Sequence, residues 1–323
     1  MNNLLRKGLK YTLETGVRAN QPWLSRQLEQ ILPRWDAAIG NDLGPAVGKR
    51  LGAVAGADEG KGAPLNAAII YLARSRADDL AQLNRSLRLL WNNLLARHPY
   101  PVIIFHEDID HAAQARLRRV APNLVTFERL QFEPPAWWTD AEAARVSWRL
   151  GYCHMCHFFS GDVFEHPRIR QLDWYMRLDV DSYLLSPIAY DPFALLARNG
   201  KTYGYLTTFY ELDNVSEGLA DFVREFVDRY EINPTFLHKH LTTQGLWDKT
   251  SFYTNFEVAK IDFWRSASFL RFWEYLKANR GIYRKRWGDA PLHFIALALF
   301  EQEDRIARLD GIGYRHVNYY AVP

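Results

Sequence analysis

The feature that most constrains this chain is an alternation of short apolar runs with longer amphipathic stretches, starting at residue 67. Residues 67–73 (AAIIYLA) are almost continuously apolar, as a strand must be when both faces of its sheet are covered. Residues 78–95 follow with Leu80, Leu83, Leu87, Leu90 and Leu94 on one side, the spacing of a helix with one buried face. Residues 101–105 and 123–127 repeat the strand pattern, the first ending at His106-Glu107-Asp108. This rhythm predicts an α/β fold with a mostly parallel central sheet and helical crossovers, whose ligands bind at the C-terminal ends of the strands.

The same reading carries on along the chain. A helix is expected over 140–160, strands over 174–178 and 203–208, and a helix over 218–230. Segments 252–258, 261–278 and 290–300 complete a domain spanning 65–323. Ahead of it, Leu4, Leu5, Leu9 and Leu13, then Trp23, Leu24, Leu28, Ile31 and Leu32, make two apolar stripes, so 1–40 reads as an N-terminal helical extension. Residues 41–64, rich in Gly and Ala and containing GADEGKGAP, read as a linker.

Composition removes several function classes. No apolar run approaches the roughly 18 residues that a membrane-spanning helix needs, and Met1 to Lys10 lacks the apolar core of a signal peptide. The two cysteines, Cys153 and Cys156, lie close together with His154 and His157 interleaved. That crowding is a poor tetrahedral cage, so buried free thiols in a reducing, cytoplasmic setting are expected. The 40 basic and 37 acidic side chains nearly balance. Basic residues cluster only locally, at Arg116, Arg118 and Arg119 and at Arg284, Lys285 and Arg286. That is not the dense basic face of a nucleic-acid binder; it suits a solvated surface, with one cluster available to a phosphate-bearing ligand. The apolar stripes and basic residues of 1–40 also suit peripheral contact with a membrane surface.

Three constellations carry chemistry. In WYMRLDVDSYLL, Asp179 and Asp181 follow an apolar strand; two acids at i and i+2 past a strand end can share a hard divalent cation, Mn²⁺ or Mg²⁺, with a diphosphate. A solvated turn would show the same triplet. In FYTNFEVAKIDFWRS, Glu257 sits among aromatic and apolar neighbours, where a carboxylate needs a partner. It is either paired with a nearby base or aimed at a sugar as nucleophile or charge stabiliser. In YRKRWGDAPLHFIA, the Gly288-Asp289-Ala290-Pro291 turn opens a helix with Asp289 at or near the N-cap. His293 then falls in the first turn, as a metal ligand or a structural side chain, and Arg286 lies upstream where it can neutralise phosphate.

Together these segments resemble the fungal Golgi α-1,2-mannosyltransferases, glycosyltransferase family 15. The similar stretches are YCHMCHFFSG, WYMRLDVDSYLLSPIAYDPF, YGYLTTFYE, FYTNFEVAKIDFWRS and RWGDAPLHFIAL, in that order from Tyr152 to Leu297. The resemblance implies a GT-A fold, GDP-mannose as donor, Mn²⁺ as metal, a mannoside or other glycan acceptor and retention of anomeric configuration. It assigns Asp179 and Asp181 to metal and diphosphate, His293 to the metal and Glu257 to the candidate nucleophile. It also puts Tyr152 in the site lining and Arg74 near the nucleotide. Two departures stand out: the family's usual Glu-Pro-Asp is Asp179-Val180-Asp181 here, and Lys285 replaces the acid before the motif arginine. The anchor and stem of the fungal enzymes have no counterpart in 1–64, so a cytoplasmic, peripheral enzyme is expected. The rival readings are a transferase using another nucleotide sugar, a hydrolase of activated sugars, and a non-catalytic sugar-binding protein on a decayed transferase fold.

Overall fold

The computed structural model describes residues 65–317 and 319–321. The expected helices of 1–40 and the linker 41–64 lie outside the described residues. The chain opens with β1 (Ala67–Leu72), α1 (Ala77–Leu90), β2 (Val102–His106), α2 (His111–Arg118) and β3 (Val125–Arg129). Then come α3 (Leu150–His157), β4 (Trp174–Leu178), β5 (Tyr183–Leu184), α4 (Pro192–Arg198), β6 (Tyr203–Tyr205) and β7 (Thr208–Tyr210). The last part holds α5 (Leu219–Arg229), β8 (Thr250–Phe252), β9 (Phe256–Lys260), α6 (Ala267–Asn279) and α7 (Asp289–Phe300). It ends in β10 (Ile306–Arg308), β11 (Tyr314–His316) and β12 (Tyr319–Ala321).

Seven strands form the main sheet in the order β10-β6-β9-β4-β1-β2-β3. β9 runs antiparallel to both its neighbours, and every other pairing is parallel. The mostly parallel α/β sheet expected from the apolar runs is therefore what forms. Strand alternation separates two cores. Ile69, Tyr71, Ile104, Met176 and Val258 face the layer under α1 and α2, while Ala68, Ile70, Phe105, Tyr175 and Ala259 face the aromatic core under α3, α5, α6 and α7.

Four expected elements are divided, each for a local reason. The helix of 140–160 is a single turn, Asp140–Ala143, and then α3; between them the Trp148 indole N–H donates to the Tyr283 carbonyl (2.9 Å), a tertiary bond that pulls the chain out of helical geometry. The helix of 261–278 breaks ahead of Ser266, whose hydroxyl accepts from Phe269 N–H (3.2 Å) and caps α6. The strand of 203–208 stops at Tyr205 and the segment 252–258 bends after Phe252, because β7 and β8 leave to form a two-stranded sheet of their own. Among the described residues no helix is long and apolar enough to cross a membrane. Cys153 and Cys156 are free and buried, as expected.

Candidate active site

β4 delivers the acidic triplet to the C-terminal edge of the sheet. Beyond Leu178 the chain turns: Ser182 N–H donates to the Asp179 carbonyl (2.9 Å), Asp179 N–H donates to the Ser182 hydroxyl (3.2 Å), and that hydroxyl donates to the Asn255 carbonyl (2.8 Å). The turn swings both carboxylates toward one imidazole. His316 Nε2 lies 3.1 Å from Asp181 Oδ1 and 3.8 Å from Asp179 Oδ2. The histidine arrives there because β11 pairs antiparallel with β5, the short strand directly after the triplet. Its Nδ1 contacts the Tyr253 hydroxyl (2.8 Å) and the Asn255 amide (2.9 Å). The Asn255 amide nitrogen can only donate, so in this arrangement Nδ1 accepts and Nε2 carries its proton toward Asp181, while the Tyr253 hydroxyl serves in either sense and helps fix the ring. Burial opposes ionisation of Asp181, but the hydrogen bond and charge of His316 outweigh it and hold the carboxyl below its ordinary range.

Beneath this edge lies a buried ladder of charged groups. Arg177 on β4 and Glu257 on β9 are a cross-strand pair. Asp289 and His293 are one turn apart on α7, which lies over the same face, so helix periodicity matches sheet register. Arg177 donates to Asp289 and, through Nη2 at 3.2 Å, to Asp179, while its guanidinium packs 3.8 Å over the Phe159 ring. Glu257 accepts from the Tyr175 hydroxyl (2.9 Å), the Tyr203 hydroxyl (2.7 Å) and His293 Nδ1 (3.0 Å). Burial disfavours the charged form of both Arg177 and Asp289. Their mutual pairing outweighs it, so the guanidinium is driven upward and the carboxyl downward from their usual values. Asp289 also accepts from the Thr254 hydroxyl at 2.8 Å.

Tyr152 and Arg286 stand beside Asp289. Arg286 takes a left-handed backbone (φ 61°), a strained conformation for a non-glycine residue, and lays its guanidinium 4.5 Å from the centroid of the Tyr152 ring. The Tyr152 hydroxyl sits 3.6 Å from where a Cβ on Gly288 would lie, so the turn before α7 runs against the tyrosine. Burial raises the Tyr152 phenol far above its ordinary value. Glu211, just past β7, is half-buried; burial pushes its carboxyl up, the Leu212 N–H opposes this, and the charge of Asp289 adds to it. At the end of β1, Arg74 is gripped by Asp79 through two bonds of 2.5 and 3.0 Å, with 68% of its side chain exposed.

A profile of the family described as glycolipid 2-alpha-mannosyltransferase matches residues 45–323. The chain belongs to glycosyltransferase family 15. Within that family it is 28% identical over 306 residues to the probable mannosyltransferase KTR3 of Saccharomyces cerevisiae, covering 87% of this chain and 73% of the relative. It is 30% identical to the O-glycoside alpha-1,2-mannosyltransferase homolog 2 of Schizosaccharomyces pombe, covering 78% and 72%. Among solved structures, the mannosyltransferase Ktr4p of S. cerevisiae in complex with GDP superposes with a TM-score of 0.73 at 25% identity, over 80% of this chain and 73% of that one. The Mn/GDP form of core-mannan synthase A from Aspergillus fumigatus superposes at 0.74 and 23%, over 81% and 77%, which shows the shared GT-A-like fold. The chain is accordingly a glycosyltransferase, and its relatives transfer mannose.

For a family 15 enzyme the structure redistributes the expected roles. Asp179 and Asp181 stand together as the triplet implies, but the histidine beside them is His316. His293 is buried: its Nε2 faces the Phe159 carbonyl at 2.9 Å, which can only accept, and its Nδ1 faces Glu257. Neither nitrogen is free for a metal, so the expectation of His293 as ligand is corrected. Glu257 is fully buried with both oxygens engaged, so it does not present a carboxylate to a sugar as expected. Asp289 falls next to the N-cap, as expected. Gly288 holds that position, and the Asp289 side chain turns inward to Arg177. Tyr152 and Arg286 are brought together, whereas Arg74 keeps to the β1 end with Asp79. His316, Arg177 and Glu211 were missed. Only the alternation YRH at 314–316 hints at His316, and nothing local to that segment reveals the strand it joins.

Proposed function

We propose that this glycosyltransferase transfers α-mannosyl from GDP-mannose to a hydroxyl of a mannoside or related glycan, forming an α-1,2 linkage with retention, and depends on a divalent cation. The observation that carries the reading is the convergence of Asp179, Asp181 and His316 at the C-terminal edge of β4. Two carboxylates and an imidazole are a donor set that fits Mn²⁺. Among the described residues no group of three such side chains forms a cage able to hold a metal unaided. A cation held at Asp179, Asp181 and His316 would therefore need diphosphate oxygens to complete its coordination. When bound, the cation would offset the charge that develops on the departing nucleoside diphosphate. The GDP complex of the S. cerevisiae relative supports guanine as the donor base.

The chain's own residues supply the rest. Asp181 and His316 hold each other in place, Tyr253 and Asn255 orient the imidazole, and Arg177 fixes Asp179 against the sheet. Asp289 is held by Arg177 and Thr254, and we assign the neighbouring pair Tyr152 and Arg286 to the acceptor side. Because Glu257 is caged, retention follows from attack on the face that the diphosphate leaves. The acceptor oxygen bonds to the anomeric carbon, the bond from that carbon to the phosphate oxygen breaks, and the hydroxyl proton passes to the departing diphosphate. Titration calorimetry with GDP, UDP and ADP tests the reading. GDP should bind about tenfold or more weakly in EDTA than in Mn²⁺, roughly 1.4 kcal/mol. Equal affinity with and without metal, or no preference for GDP, would overturn it.

A further inference from the structure

The basic cluster at Arg116, Arg118 and Arg119 has no part in the chemistry above. It lies on the opposite side of the sheet, where α1 and α2 cover the second core. Between these helices runs a groove of about 850 Å³. Leu80, Trp91 and Leu117 line it together with the polar Ser75, Asn84 and Asn92, and Arg88, Arg116 and Arg119 border it. All three arginines are exposed, and among the described residues none has an ion pair or side-chain hydrogen bond. Arg97, Arg149 and Arg198 are likewise exposed and unpaired among the described residues, but only at the groove do three such arginines border one trough. The one acid in the groove, Asp110, is committed to capping α2, accepting from Ala113 N–H at 2.7 Å.

Three guanidinium groups around a trough of mixed apolar and polar lining suit an anion with a larger body attached. Planar guanidinium favours phosphate oxygens, which it grips through paired N–H groups. A free phosphate leaves Leu80, Trp91 and Leu117 uncovered, whereas a headgroup with an attached glycerol and acyl chain covers them. Trp91, half-buried at the groove, is the kind of side chain that sits well at a lipid–water boundary. We propose that the groove between α1 and α2 binds the phosphate headgroup of an acidic phospholipid and holds the enzyme at an anionic membrane surface.

The test is co-sedimentation of the full chain with vesicles of phosphatidylcholine, with and without phosphatidylglycerol. The variant Arg88→Gln/Arg116→Gln/Arg119→Gln alters only exposed side chains, and its GDP binding, measured alongside, reports an intact fold. The wild type should sediment with the anionic vesicles only. The triple variant should lose affinity on the order of 100-fold, from about fivefold per arginine near an anionic surface. Equal sedimentation of wild type and variant would trace the attraction to basic residues such as Arg6, Lys7 and Lys10 and overturn the proposal. So would calorimetric binding of inorganic phosphate, lost in the variant, with no binding to vesicles, since the groove would then serve a free anion.

Discussion

Replacing Glu257 by glutamine separates a caged structural carboxylate from a catalytic nucleophile. The side chain accepts three hydrogen bonds, from Tyr175, Tyr203 and His293, and is fully buried. Glutamine keeps the volume but offers one acceptor oxygen and an NH₂ group that must find acceptors of its own. Hydrogen bonds to charged groups contribute about 1.5–3 kcal/mol each, against about 1 for neutral ones. Exchanging three of the former for at most two of the latter, with some relief from rotating hydroxyls, should cost about 2–4 kcal/mol. For a domain of this size each kcal/mol lowers Tm by roughly 2–4 °C, so the loss should be about 4–16 °C. GDP affinity should hold, and kcat should fall by about tenfold or less, as Arg177 and Asp289 lose a neighbour. Differential scanning fluorimetry and a mannosyl-transfer assay on one preparation decide the matter. An unchanged Tm with kcat reduced on the order of 10³-fold or more would refute the cage and restore the nucleophile.

The two histidines should respond in opposite ways: His316→Ala is expected to weaken Mn²⁺ and GDP binding together by about tenfold or more, whereas His293→Ala should lower Tm and spare both affinities, as calorimetry and thermal melts would show. Because Asp289 is held below the unfolded carboxyl value of 3.8, the stability it contributes is complete above that pH and is lost as the pH falls through its lower folded value. Asp289→Asn should therefore flatten the decline in unfolding free energy below about pH 4, measured by urea titration; an unchanged acid limb would count against the Arg177 pairing. A Cβ on Gly281 would lie 2.1 Å from the Trp287 ring, so Gly281→Ala should cost about 1–3 kcal/mol by overpacking and weaken the seat of the Gly288–Asp289 turn.

The sequence alone determined the elements whose burial pattern repeats locally. The run AAIIYLA read as a strand covered on both faces, and the leucine spacing after it as a one-sided helix, because side-chain direction follows backbone period. The acidic triplet was visible for the same reason: an apolar strand ends where two carboxylates begin. What periodicity cannot carry is which distant residue faces which. His316 joins Asp181 only because β11 pairs with β5, and a register between strands so far apart in the chain is set by packing of the whole domain. The roles of Glu257, His293 and Asp289 were decided in the same way. Sequence showed Glu257 among apolar neighbours and Asp289 and His293 at a helix start, and tertiary structure matched a cross-strand pair to one helical turn, giving each group a partner in the interior. Burial without a partner is too costly to persist, so the fold had to complete that set, but only the packing of α7 on the sheet determined how.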